Sequence, residues 1–122
     1  MDFILAPNRS EYQIQSYEPR RLIVNGQAYT TSVLVSNLGL NSWRPQTLAD
    51  VTQGDLEELL ALKADVILLG VGPVMRFLSP PLQRFIAENA VPLEVMTTKA
   101  AVRTFHVLSA EARKVYAALL LT

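Results

Sequence analysis

Asp65-Val66-Ile67-Leu68-Leu69-Gly70-Val71-Gly72-Pro73 is the stretch from which the fold is read. A continuous apolar run without period-2 alternation predicts a strand covered on both faces, the habit of central strands in α/β sheets. Gly70 and Gly72 then free the backbone for a sharp turn. Downstream, Ser79-Pro80-Pro81 predicts a helix start: Ser79 can cap orphan N–H groups, and Pro80 sits where a missing donor costs nothing. Leu82, Phe85, Ile86 and Ala90 share one face of that helix, with Arg84 and Glu88 together on another. Pro92 rules out its continuation, and Val91–Met96 resumes as a second strand. A strand-helix-strand unit this short predicts parallel pairing through a right-handed crossover.

Composition frames this unit. With 122 residues, half of them hydrophobic, the chain is expected to fold as one domain over residues 1–122, burying about two-thirds of its unfolded surface. Eleven basic and eleven acidic residues cancel, so no overall field draws the molecule to nucleic acid or to an anionic membrane. The lack of cysteine removes disulfides and thiolate chemistry, and a single histidine excludes the usual zinc sets. Neither a metal nor a cofactor is expected. Met1–Pro7 lacks the basic region of a secretory signal, while Val66–Met75 is too short for a membrane span and holds Pro73. These readings predict a cytoplasmic protein without membrane insertion.

Upstream, residues 2–11 read as an arm laid over the domain, and Tyr12–Tyr17 alternates as a half-buried strand. Arg21–Val24 and Ala28–Val35 flank Asn25-Gly26, a pair that tolerates positive φ and predicts an antiparallel hairpin. Asn37–Asp50 reads as a long polar connection containing Gly39, Trp43 and Pro45, of a length that marks function or mobility. Trp43 is read as covering the core beneath it; an exposed partner anchor is the sharper alternative. Thr52 predicts the cap of a helix with Asp55, Glu57 and Glu58 near its start, Lys63 at its end, and Leu56, Leu59, Leu60 and Ala64 on its apolar face.

Beyond the second strand, Thr97 or Thr98 caps a helix whose Thr98, Ala101, Val102, Phe105 and Leu108 project toward the sheet. Ser109–Arg113 reads as a short helix or turn. Lys114–Leu121 reads as a closing strand, against the helical preference of its Ala and Leu.

Two features invite chemistry. The Gly70 turn between a buried strand and a helix could receive an anion, but position 75 is Met75 rather than a third glycine, Pro73 removes a donor, and no P-loop lysine follows. The flank formed by Lys99, Arg103 and His106, with Glu111 and Arg113 nearby, could hold a carboxylate and move a proton. A solvated, ion-paired helix face explains the same residues without chemistry and outweighs the catalytic reading. No nucleophile elbow or paired carboxylates appear.

The blocks Leu68–Gly72, Pro80 with Leu82, Leu93–Thr98, Ala100–Leu108 and Glu111–Val115 resemble a family of small domains. It includes a mitochondrial NADH dehydrogenase (complex I) assembly factor, an adipogenesis-associated protein and many uncharacterised prokaryotic proteins. The resemblance implies an α/β fold of three layers with a central mixed sheet, here with an N-terminal β-hairpin and about three helices. It brings no established enzymatic activity, and it implies action through protein partners. Thr98, Arg103, Glu111 and Arg113 match the family pattern. Thr97 stands where Asp is frequent, Val102 where Cys is, His106 where Asn is and Ala112 where Gly is, which weakens a shared active site.

The leading expectation is therefore a non-enzymatic protein-interaction module, assisting assembly of a larger complex, with an apolar patch or a groove beside the long loop. The alternative is a small-anion or small-ligand site, binding or catalytic, between the Gly70–Gly72 turn and the Thr98 helix start. Gly70, Gly72, Thr98, Arg103, His106, Glu111, Arg113 and Trp43 are the candidate ligand- or partner-binding residues.

Overall fold

The apolar run that opens at Val66 forms the strand β7 (Val66–Gly70), and every one of its residues is buried. Residues 4–5, 12–111 and 114–122 are described by the structure, a computed structural model. Before β7 come β1 (Ile4–Leu5), β2 (Ile14–Glu18), β3 (Arg21–Val24), β4 (Gln27–Tyr29), β5 (Val33–Ser36), β6 (Gly39–Ser42), a 3-10 turn at Leu48–Asp50 and α1 (Gln53–Leu60). After it come α2 (Pro80–Glu88), β8 (Leu93–Met96), α3 (Thr98–Ser109) and β9 (Val115–Leu119).

β7 pairs in parallel with β8 on one side and with β9 on the other. β9 in turn runs antiparallel to β5, which makes a hairpin with β6, so the mixed sheet has the order β1-β6-β5-β9-β7-β8. The expected parallel unit is thus present, and β8 is an edge strand. Side-chain alternation sends Val66 and Leu68 of β7 into one core and Ile67 and Leu69 into another, as a doubly covered strand requires. The first core holds α3 (Ala101, Val102, Phe105) and the small sheet β2-β3-β4 (Ile14, Leu22, Val24). The second holds Trp43 and the α1 residues Leu56 and Leu59, with Leu82, Phe85 and Ile86 of α2 packed against it. These are three layers around a mixed sheet, with three α-helices among the described residues.

The Asn25-Gly26 hairpin forms as its residues dictate, with φ of 50° and 81° and Val24 opposite Gln27. Its second strand is shorter than Ala28–Val35: β4 stops at Tyr29, and the chain crosses to the large sheet as β5. The corner is held by Ser32, whose N–H donates to Gln46 Oε1 and whose C=O accepts from Trp43 N–H. The 37–50 segment also departs from a polar connection. Asn37-Leu38 is a tight turn, Gly39–Ser42 is a strand, and Trp43 is 3% exposed. Pairing with β5 makes the strand where local propensity is poor. Lys114–Leu121 resolves to the strand β9, because its neighbours β5 and β7 override the helical preference of Ala and Leu. Ser79 precedes α2 but makes no side-chain cap hydrogen bond, leaving Pro80 and Pro81 to start that helix. Thr97 is the α3 cap. The arm at residues 2–11 lies outside the described residues except for β1, which pairs with β6. Of Ser109–Arg113, Ser109 ends α3 and a turn follows through Glu111, the last two residues lying outside the described set.

Electrostatics fasten α1 to the chain before it. Thr52 and Asp55 form a capping box, and Arg44 grips the same carboxylate from Nε at 3.0 Å and from Nη2 at 2.6 Å. Burial pushes the Asp55 pKa up, but the bonds from Arg44 and Thr52, with the guanidinium charge, outweigh it and hold the carboxyl below its ordinary value. Backbone N–H groups of Gln46 and Thr47 lower Asp50 likewise. Carboxyl groups with depressed folded-state pKa contribute stability that is present above the unfolded value and lost as pH falls through the folded one. Asp55→Asn is therefore expected to cost about 1–3 kcal/mol at neutral pH and to flatten the fall in stability below about pH 4, read by urea melts across that range. Further along the chain, Ala90 closes α2 with φ 51°, in the left-handed region, while Val91 N–H reaches back to Ile86 C=O. Ala90→Gly is expected to raise stability by about 1 kcal/mol, seen as a higher denaturation midpoint at unchanged m-value.

Candidate functional site

The glycine turn after β7 and the first residue of α3 meet at the carboxyl end of the parallel strands. A Cβ on Gly70 would stand 2.8 Å from Thr98 Cα and 3.1 Å from Leu119 Cδ2, so only glycine lets the helix start approach this closely. Gly72 takes φ +106°, which favours glycine on conformational grounds. Thr98 is fully buried. Its hydroxyl accepts from Gly72 N–H at 2.8 Å and donates to Leu120 C=O at 2.8 Å, while its own N–H donates to Gly72 C=O at 3.0 Å. Val71 N–H to Met96 C=O and Leu120 N–H to Gly70 C=O, both 2.9 Å, complete the knot.

This is the switch point of the sheet: α2 leaves β7 toward one face and α3 leaves β8 toward the other. Open α/β sheets usually leave a ligand crevice there. In this chain the Thr98 side chain occupies it, and the Gly72 and Thr98 N–H groups already have acceptors, so an anion would have to displace these bonds. Beneath lies the Tyr17 hydroxyl, buried and without a hydrogen-bond partner among the described residues. Burial raises its pKa, with Thr98 nearby acting in the opposite direction.

The other expected residues do not converge on this point. Arg103, His106 and Glu111 are exposed, and among the described residues the ion pair found joins Arg44 to Asp55 rather than Arg103 to Glu111. Arg113 lies outside the described residues. Trp43 fills the core on the α1 and α2 face of the sheet. Among the described residues, no group of acidic side chains and histidine could hold a metal ion, and no helix is long and apolar enough to cross a membrane.

A different surface stands out. Between β7 and α2 the chain exposes Val74 (59%), Met75 (39%) and Phe77 (75%). Next to them is a groove of about 200 Å³ lined by Phe77, Leu78, Gln83, Ile86, Leu93 and Val95, between α2 and the edge strand β8. No residue of α2 is fully buried, whereas α3 buries four. The groove lies at the β8 edge rather than beside the 37–50 segment. Its sequence signal was available: Val74, Met75, Phe77 and Leu78 are apolar residues in a connection, where turn-forming polar residues are the rule.

Residues 14–120 match the family described as "Protein of unknown function (DUF498/DUF598)". A Xenopus tropicalis relative, NADH dehydrogenase [ubiquinone] 1 alpha subcomplex assembly factor 3, is 26% identical over 109 residues, covering 88% of this chain and 60% of its own length. The chain thus spans about 60% of that curated relative. A Bordetella parapertussis crystal structure is 30% identical with a TM-score of 0.82, covering 93% of this chain and 98% of that one. A Bartonella henselae protein described as an outer membrane protein is 27% identical with a TM-score of 0.75, covering 93% and 97%.

Thr98→Val keeps the shape and removes the hydroxyl, leaving Gly72 N–H and Leu120 C=O unpaired inside the protein. A loss of about 2–4 kcal/mol in chemical denaturation is expected; a variant as stable as the parent would show that the hydroxyl bridge contributes nothing.

Proposed function

The chain belongs to the DUF498/DUF598 family, and we propose that it is a non-enzymatic protein-interaction module that assists assembly of a larger complex. The observation that carries the reading is the apolar surface of Val74, Met75 and Phe77 beside the α2–β8 groove. Large side chains held out of the core next to a half-covered helix support an interaction role. The relative named as an assembly factor supports the same reading. The groove, at about 200 Å³, is smaller than the roughly 300–1,000 Å³ of small-molecule pockets, which favours protein side chains over a metabolite. A formal net charge of zero argues against nucleic acid. The cytoplasm remains the proposed compartment; the Bartonella protein's description stands against it, and cell fractionation decides.

The test is affinity capture of the tagged full chain from its native cells after chemical crosslinking. A reproducible partner is expected, its yield reduced about tenfold or more by Phe77→Asp and unchanged by Val107→Asp, which alters an exposed side chain on α3. Failure to recover any reproducible partner would overturn the proposal.

A further inference from the structure

We propose that the groove receives an extended, acidic–apolar segment of a partner protein, which adds as a further strand to the free edge of β8. The inference rests on the interaction-module reading and specifies the partner's chemistry at the same surface.

Backbone availability argues for a strand. Among the described residues, β8 pairs only with β7. Ile67 N–H donates to Pro92 C=O and Val71 N–H to Met96 C=O, so the alternation of a parallel ladder turns the even-numbered groups of β8 toward β7. It leaves the N–H and C=O of Val95 and the C=O of Leu93 facing outward. Leu93 and Val95 also present their side chains to the groove. An incoming strand would therefore gain main-chain bonds from β8 and rest alternate side chains against Ile86, Leu78 and Phe77, the arrangement of strand-addition recognition.

Charge argues for acidity. From Val66 to Ala87 the sequence holds no acidic residue, and Arg76 precedes Phe77 in the loop, whereas Arg84 shares its face of α2 with Glu88. Arg76 is exposed and forms no ion pair among the described residues. A second copy of this chain fits less well, since pairing β8 with itself about a two-fold axis brings the two exposed Glu94 carboxylates close together.

The experiment is selection from a random peptide library displayed on phage, using the full-length protein as bait. Enriched peptides are expected to carry apolar residues at alternate positions with Asp or Glu between or beside them. Synthetic versions are expected to slow amide hydrogen exchange at Val95. Val95→Pro removes the outward N–H at an edge position where proline is tolerated and is expected to weaken binding about tenfold, with its fold checked by amide dispersion. Phe77→Asp, at an exposed loop position, provides a second loss of binding that does not touch the strand. Enrichment of apolar residues at helical spacing, no enrichment, or unchanged exchange at Val95 would each overturn the proposal, as would self-association of the parent protein abolished by Val95→Pro. If captured native partners bind Val95→Pro as they bind the parent but lose Phe77→Asp, strand addition falls while the interaction module stands.

Discussion

One buried hydroxyl joins the three parallel strands at their carboxyl ends. Thr98 Oγ1 accepts from the N–H of Gly72, beyond β7, and donates to the C=O of Leu120, beyond β9, while the residue itself stands two positions past the end of β8. Each bond lies away from water, where an unpaired partner would carry its full desolvation cost. The contact exists because Gly70 has no side chain: any Cβ there would collide with Thr98. The glycine pair thus serves close approach and chain reversal, and the helix start that might have held a phosphate is packed against the sheet instead.

The two faces of the sheet are unequally covered. On one, α3 buries Thr98, Ala101, Val102 and Phe105 beside the small sheet. On the other, α1 sits deep through Leu56 and Leu59, whereas α2 only half-buries Leu82, Phe85 and Ile86. The shortfall falls at the β8 edge, where the sheet runs out of strands before the helix runs out of apolar surface. Groove, exposed loop and open edge are therefore one feature, produced by a single mismatch in layer width.

The unit from Asp65 to Phe105 was legible because each local signal agreed with the packing: an apolar run for a doubly covered strand, prolines to open α2, and a threonine to cap α3. The Asn25-Gly26 turn was legible for the same reason. What failed depended on distant partners. The break after Tyr29 is set by Ser32 bonding to Gln46 and Trp43, and the strand at Gly39–Ser42 by pairing with β5. The candidate site was only partly readable. Gly70, Gly72 and Thr98 do meet, yet periodicity cannot reveal that their polar groups satisfy one another. Helical spacing placed Arg103 and His106 on one flank of α3 but could not say whether anything faced them. The groove is not readily legible in the sequence because its apolar residues stand in a connection, where polarity and turn residues are the usual signal.

The position of β9 has a consequence for biosynthesis. It follows both of its neighbours in the sequence but lies between them in the sheet, antiparallel to β5 and parallel to β7. As the nascent chain leaves the ribosome, the β5–β6 hairpin and the β7-α2-β8 unit must wait, each with an unfilled edge, until residues 115–119 emerge and slot between them. The sheet closes only through contacts distant in sequence, the slow kind. Until then the nascent chain carries two sticky margins, a state that chaperones are suited to shield.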